Sequence, residues 1–87
     1  MNDPSLLEFP CAFPLKIMGQ ASDDFASTVI AIVMRHAPDY VAATTEMRAS
    51  SAGKYHGLTC TINAVSQAQL DALYQELTAH PLVRIVL

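Results

Sequence analysis

The chain has 87 residues, 52% of them hydrophobic and 15% charged, with a formal net charge of -3. That is one domain with enough apolar material for a mostly aliphatic core, which excludes intrinsic disorder. Five Lys and Arg scattered from Lys16 to Arg84 make no basic stripe, which argues against nucleic acid, and no apolar run approaches a membrane span.

Residues 1–9 read as an N-terminal tail and 10–87 as a single domain. Met1-Asn2-Asp3-Pro4 lacks the basic start and apolar stretch of a secretory signal, so the expected location is the cytoplasm. Leu6, Leu7 and Phe9 form a small apolar cluster before Pro10. Phe13, Leu15 and Ile17 then alternate with Pro14, Lys16 and Met18, the period of a half-buried strand, and Gly19 closes it. Pro14 is accommodated if the ladder begins at Leu15. Ser22 is expected as the N-cap of a helix over 23–36, with Asp23 and Asp24 at the positive end of its dipole. Phe25, Val29, Ile32, Val33 and His36 make its apolar stripe, and Pro38 stops it.

Residues 40–48 read as a polar edge strand, and 49–53 as a loop. A third strand over 54–64 points His56, Leu58, Cys60 and Ile62 one way and Tyr55, Gly57, Thr59, Thr61 and Asn63 the other. Ser66 and Gln69 make a capping box for a second helix whose face is Leu70, Leu73, Tyr74 and Leu77. After Pro81, residues 82–87 are a short, strongly apolar last strand. This order predicts an α+β, ferredoxin-like βαββαβ sandwich, a four-stranded antiparallel sheet with both helices on one face. Strands one and three would be central, and two and four would be edges. The core would join Leu15, Ile17, Leu58, Cys60, Ile62, Val83, Ile85 and Leu87 to Phe25, Val29, Ile32, Leu70, Leu73 and Leu77.

Catalytic and metal chemistry find no constellation. His36, His56 and His80 share no helix at ligand spacing and neither cysteine accompanies them, so no metal site is expected. His36 reads as a helix C-terminal residue and His80 as a loop residue before Pro81. Cys11 and Cys60 read as free thiols, Cys60 inert on the core face. The serines serve as caps and loop residues, and three glycines form no phosphate loop, so neither an enzyme nor a cofactor is expected. Two surfaces remain. Lys16, Met18, Gln20, Thr59, Thr61, Asn63, Arg84 and Val86 would lie on the open sheet face, a mixture that suits a modest protein interface or a plain solvated face. The first strand-to-helix turn, Gly19, Gln20, Ser22 and Asp23, would offer backbone amides to a small anion.

A set of segments then resembles one family along nearly the whole chain, from about Ser5 to Leu87. They are Leu7-Glu8-Phe9-Pro10, the stretch from Phe13 to Gly19, Arg35-His36-Ala37-Pro38, Ser50 to His56, Thr61-Ile62-Asn63-Ala64, Leu73-Tyr74-Gln75-Glu76-Leu77 and Val83-Arg84-Ile85-Val86-Leu87. In this order they resemble the YbeD family of small bacterial proteins. The resemblance implies a cytosolic protein with a fold similar to the ACT regulatory domains that bind amino acids. Family genes often lie beside those for lipoate attachment and synthesis, which implies a link with lipoate metabolism. ACT domains carry an Asp-x-Pro-Gly-like turn into the first helix, whereas this chain has Gly19-Gln20-Ala21-Ser22-Asp23-Asp24.

Two functional readings follow. The first is a non-enzymatic regulatory or protein-interaction module whose partner is unknown and could be a second copy, making a homodimer. Its apolar edge strand over 82–87 would be covered by the segment from Leu6 to Phe9 or by that second copy. The second is a small-ligand sensor of the ACT kind, binding a metabolite at the first strand-to-helix turn.

Overall fold

The computed structural model describes residues 8–50 and 52–87. Its elements are β1 (Cys11–Gln20), α1 (Phe25–His36), a 3₁₀ turn (Ala42–Thr44), β2 (Glu46–Ala49), β3 (Tyr55–Ala64), α2 (Gln67–Ala79) and β4 (Val83–Val86). The sheet order is β2-β3-β1-β4 with antiparallel neighbours throughout, the ferredoxin-like arrangement that the element order predicts. One core holds it together. Leu15, Ile17, Leu58, Cys60 and Ile62 from the sheet meet Phe25, Val29, Ile32 and Val33 of α1 and Leu70, Leu73 and Leu77 of α2. Burying each large aliphatic or aromatic side chain there contributes on the order of 1.5–3 kcal/mol.

The second helix starts as its sequence demands. Gln69 N donates to Ser66 Oγ at 3.0 Å, and Gln69 Oε1 accepts from Val65 N at 2.7 Å. The same amide donates through Nε2 to the His36 carbonyl at 2.8 Å, so one side chain caps α2 and fastens it to the end of α1. The first helix begins differently from the expectation. Its N-cap is Asp24, with no side-chain cap bond, and Ser22 lies a turn earlier. The Ser22 carbonyl accepts from Phe25 N at 3.3 Å, and this turn through Asp23 and Asp24 delays the helix to Phe25.

The second strand is shorter than 40–48. Tyr40 turns into the core instead, with its hydroxyl bonded to that of Thr45. Thr44 N donates to the Val41 carbonyl at 3.0 Å and Thr45 N to that of Ala42 at 3.1 Å. Those turns consume the backbone groups that a strand would have needed, and pairing begins at Glu46.

The last strand departs most. Its partners on β1 run Ile17 to Val86, Met18 to Ile85, and then Gly19 to Val83, so Arg84 is an extra residue opposite the Met18–Gly19 step. A bulge of this kind changes the phase of a strand's side chains. Val83 and Val86 therefore both face the core, while Ile85 is 49% and Leu87 66% exposed. This corrects the expected alternation. Ile85 and Leu87 leave the core, and Val86 leaves the open face.

The bulge sits beside Gly19. A Cβ on Gly19 would lie 2.0 Å from the Leu82 carbonyl oxygen and 2.3 Å from the Phe25 ring. Helix α1 and the entry to β4 thus both press on a position that only glycine can fill.

The outer strands are short, so the sheet is four strands wide at one end only. Strand β2 pairs with His56 to Thr59, and β4 reaches β1 from Lys16 to Gly19. Lys16 exchanges both backbone hydrogen bonds with Leu87, at 3.1 and 2.7 Å. By strand alternation, Pro14 directs its missing N–H to the same side, beyond the end of β4, where a ladder loses nothing. Leu6 and Leu7, expected to help cover the last strand, lie outside the described residues, and Phe9 packs half-buried against the core.

Glycine positions give the sharpest test of this packing. Gly19→Ala should lower stability in urea denaturation by about 1–3 kcal/mol or more through overpacking. Gly57→Ala, whose Cβ would meet only Met18 Cγ at 3.7 Å and the Arg48 carbonyl at 4.0 Å, should stay within about 0.5 kcal/mol of the parent.

Candidate functional site

Pairing registers lay out the uncovered face of the sheet as a grid. Arg48 lies opposite Gly57, Gly57 opposite Met18, and Met18 opposite Ile85. In the next row Glu46 faces Thr59, Thr59 faces Lys16, and Lys16 bonds to Leu87. Gly57 has no side chain to fill its place in the grid. The result is a groove of ≈440 Å³ lined by Lys16, Met18, Arg48, Tyr55, Thr59 and Leu87, among others. Met18, Tyr55, Ile85 and Leu87 leave between 39% and 66% of their surface exposed, which makes an apolar strip. Exposed apolar groups in one contiguous patch carry more meaning than the same groups scattered singly.

A smaller hollow of ≈270 Å³ adjoins the groove across Tyr55, and Gln20, Lys54 and Arg84 line it. The predicted surface residues therefore divide. Lys16, Met18 and Thr59 line the groove, and Arg84 and Gln20 line the hollow. Thr61 and Asn63 are exposed but lie on the two-stranded end, opposite Pro14 and Ala12, away from both. Val86 is only 8% exposed and belongs to the core. The open face expected from the sequence omits Arg48, Tyr55, Gly57, Ile85 and Leu87, although the last two belong to the edge strand over 82–87 that the sequence marks for pairing or cover. Period-2 alternation around Gly57 carried the signal for Tyr55 and Gly57. For Ile85 and Leu87 the signal is the bulge, which leaves no local mark in the sequence.

The first turn is more closed than the sequence suggests. Gly19 is buried on the helix side of the sheet, where the Phe25 ring and the Leu82 carbonyl fill the space beside it. Gln20 and Asp23 are exposed, while Ser22 Oγ is buried without a hydrogen-bond partner among the described residues.

Other polar clusters are committed to structure. A recess of ≈670 Å³ lies between the end of α1 and the start of α2, where Arg35, His36, Ser66 and Gln69 already have partners. There Glu76 pairs with Arg35 and accepts from His36 Nε2 at 2.6 Å, and Ser66 and Gln69 serve the cap. His80 Nδ1 accepts from Leu82 N at 3.1 Å, and the His56 ring lies 6.3 Å from that of Phe25. Among the described residues, no three His, Cys, Asp or Glu converge as metal ligands, and no helix is long and apolar enough to cross a membrane. Both cysteines are free thiols.

Burial pushes the Cys60 thiol above its ordinary pKa, against hydrogen bonding from Tyr40 and Thr45, and burial likewise raises Tyr40. A group whose folded pKa is raised adds stability below its unfolded pKa, and that stability is lost as pH rises, because the unfolded chain releases the proton first. Stability in urea should therefore hold to about pH 8 and fall beyond it. Cys60→Ala should fall less steeply over the same range, and Cys60 in the parent should resist thiol reagents until the protein unfolds.

Comparison with known proteins agrees with the sequence resemblance. A family model described as "Protein of unknown function (DUF493)" matches residues 4–87. A UPF0250 protein of Ralstonia nicotianae is 51% identical over 83 residues, covering 95% of this chain and 86% of that relative. Another from Nitrosomonas europaea is 49% identical over 87 residues and covers 100% of both chains. YbeD is the UPF0250 family, so the resemblance holds. The solution structure of protein HP0495 from H. pylori superposes with a TM-score of 0.72 at 13% identity, over 100% of this chain and 94% of that one. At that identity it shows the shared fold alone.

Proposed function

This chain belongs to the DUF493 family, the UPF0250 proteins, and we propose that it works as a non-catalytic regulatory or protein-interaction module through its open sheet face. The observation that carries the reading is the β4 bulge, which sets Ile85 and Leu87 on the uncovered face beside Met18. An apolar strip next to a groove, with polar and charged groups at its margin, has the anatomy of a small protein interface. On its helix layer, by contrast, Arg35, His36 and Glu76 hold α1 to α2. The work would take place in the cytoplasm, and a link with lipoate metabolism rests on the family resemblance.

A small-ligand sensor of the ACT kind at Gly19, Gln20, Ser22 and Asp23 is the second reading. The partnerless Ser22 Oγ favours it, and the Phe25 ring beside Gly19 ranks it below the first. A thermal-shift screen of amino acids and lipoate-related acids should give no rise in Tm, and a rise with any of them reverses the order.

Photo-crosslinking in cells tests the first reading. A crosslinking amino acid at Ile85 should capture a protein adduct, whereas the same group at Ala72, exposed on α2, should not. Gly57→Leu, which fills the groove, should reduce the Ile85 adduct without lowering Tm. Equal capture from both positions, or none from Ile85, overturns the reading.

A further inference from the structure

Five basic residues look scattered along the sequence, yet the fold gathers four of them. Lys16 and Arg48 line the groove, and Lys54 and Arg84 line the hollow beside it. The fifth, Arg35, is paired with Glu76 on the helix layer. Among the side chains lining the groove and the hollow, Glu46 is the sole carboxylate, and Leu87 adds the terminal carboxyl group of the sequence to the groove. A chain with a net charge of -3 thus presents one face on which cations outnumber carboxylates, and that face also carries its exposed apolar strip.

Resting on the reading of the open face as the working surface, we infer that its partner is an acidic, amphipathic segment of another protein. Apolar side chains of that segment would lie along Met18, Ile85 and Leu87, and its carboxylates would meet Lys16, Arg48 and Arg84. Charge complementarity selects this occupant over a second copy of the chain. Pairing the face with itself would set two sets of four cations against each other, with Glu46 and the terminal carboxyl group from each copy to offset them, and like charges across an interface are unfavourable. A bare anion would satisfy the cations and leave the apolar strip in water. A basic segment would meet repulsion from Lys16 and Arg48 in the groove and from Lys54 and Arg84 in the hollow.

Two synthetic peptides, one alternating Leu and Glu and one alternating Leu and Lys, separate these cases when titrated into isotope-labelled protein. The Leu-Glu peptide should shift the amide signals of Met18, Gly57 and Ile85, and the Leu-Lys peptide should leave them in place. Binding should weaken several-fold between about 50 and 200 mM salt, as exposed charges are screened. The double variant Lys16→Glu and Arg48→Glu should bind roughly tenfold more weakly, which is about 1.4 kcal/mol. Both side chains are exposed, and an unchanged Tm would confirm that the variant folds. No shift with Leu-Glu, or an equal shift with Leu-Lys, overturns the inference. So does a short single-stranded DNA that shifts the same amides at lower concentration, since that outcome assigns the cations to nucleic acid. An Ile85 crosslink to a partner segment rich in Lys and Arg would leave the open face as the working surface and sink only its acidic preference.

Discussion

Everything distinctive about this domain converges on the contact between β1 and its neighbours at Gly19. There the Phe25 ring and the Leu82 carbonyl both occupy space that a side chain would need. The ring sets the depth at which α1 lies on the sheet. The carbonyl sets where the chain enters β4. The change of register falls at the next step along β1, between Met18 and Gly19, and it turns Ile85 outward and Val86 inward. A core contact on one side of the sheet therefore accompanies the apolar strip on the other. The domain's interior and its candidate interface share one constraint.

The two faces divide the polar work. On the helix side, Gln69 spans the cap of α2 and the end of α1, and Glu76 receives both Arg35 and His36. These contacts are local and saturated, so they stabilise without offering anything to a partner. On the sheet side, Lys16, Arg48, Lys54 and Arg84 surround groups that have no such commitment to the helices. Exposed pairs contribute little to folding, whereas an excess of one sign over one face influences encounter rate and the choice of partner.

The fold was legible because its signals are local. Alternation over Leu15 and Ile17 and over Leu58 to Ile62, the helical stripes, and the Ser66–Gln69 box each follow from a few neighbouring residues. Errors arose where distant contacts decide. Tyr40 leaves its strand because the core takes its ring. Ser22 loses the cap because the chain makes one more turn before Phe25. Ile85 and Val86 exchange faces because the register of β4 on β1 shifts between Met18 and Gly19, and no periodicity within 82–87 records that. The candidate site was legible in part. Lys16, Met18 and Thr59 follow from strand parity, but Arg48 and Arg84 join them only when four strands are laid side by side.

Pro14 has a consequence of another order. Along the half of β1 that β4 does not reach, the backbone presents an edge that no described strand pairs, and unpaired edges invite further chains to add strands. Pro14 supplies a carbonyl there but no donor, so an incoming strand would find its ladder interrupted beside Lys16. One imino acid, placed where its missing hydrogen costs the native sheet nothing, limits how far the sheet can grow. In that sense the residue acts on what the edge of β1 can recruit more than on how firmly the domain is folded.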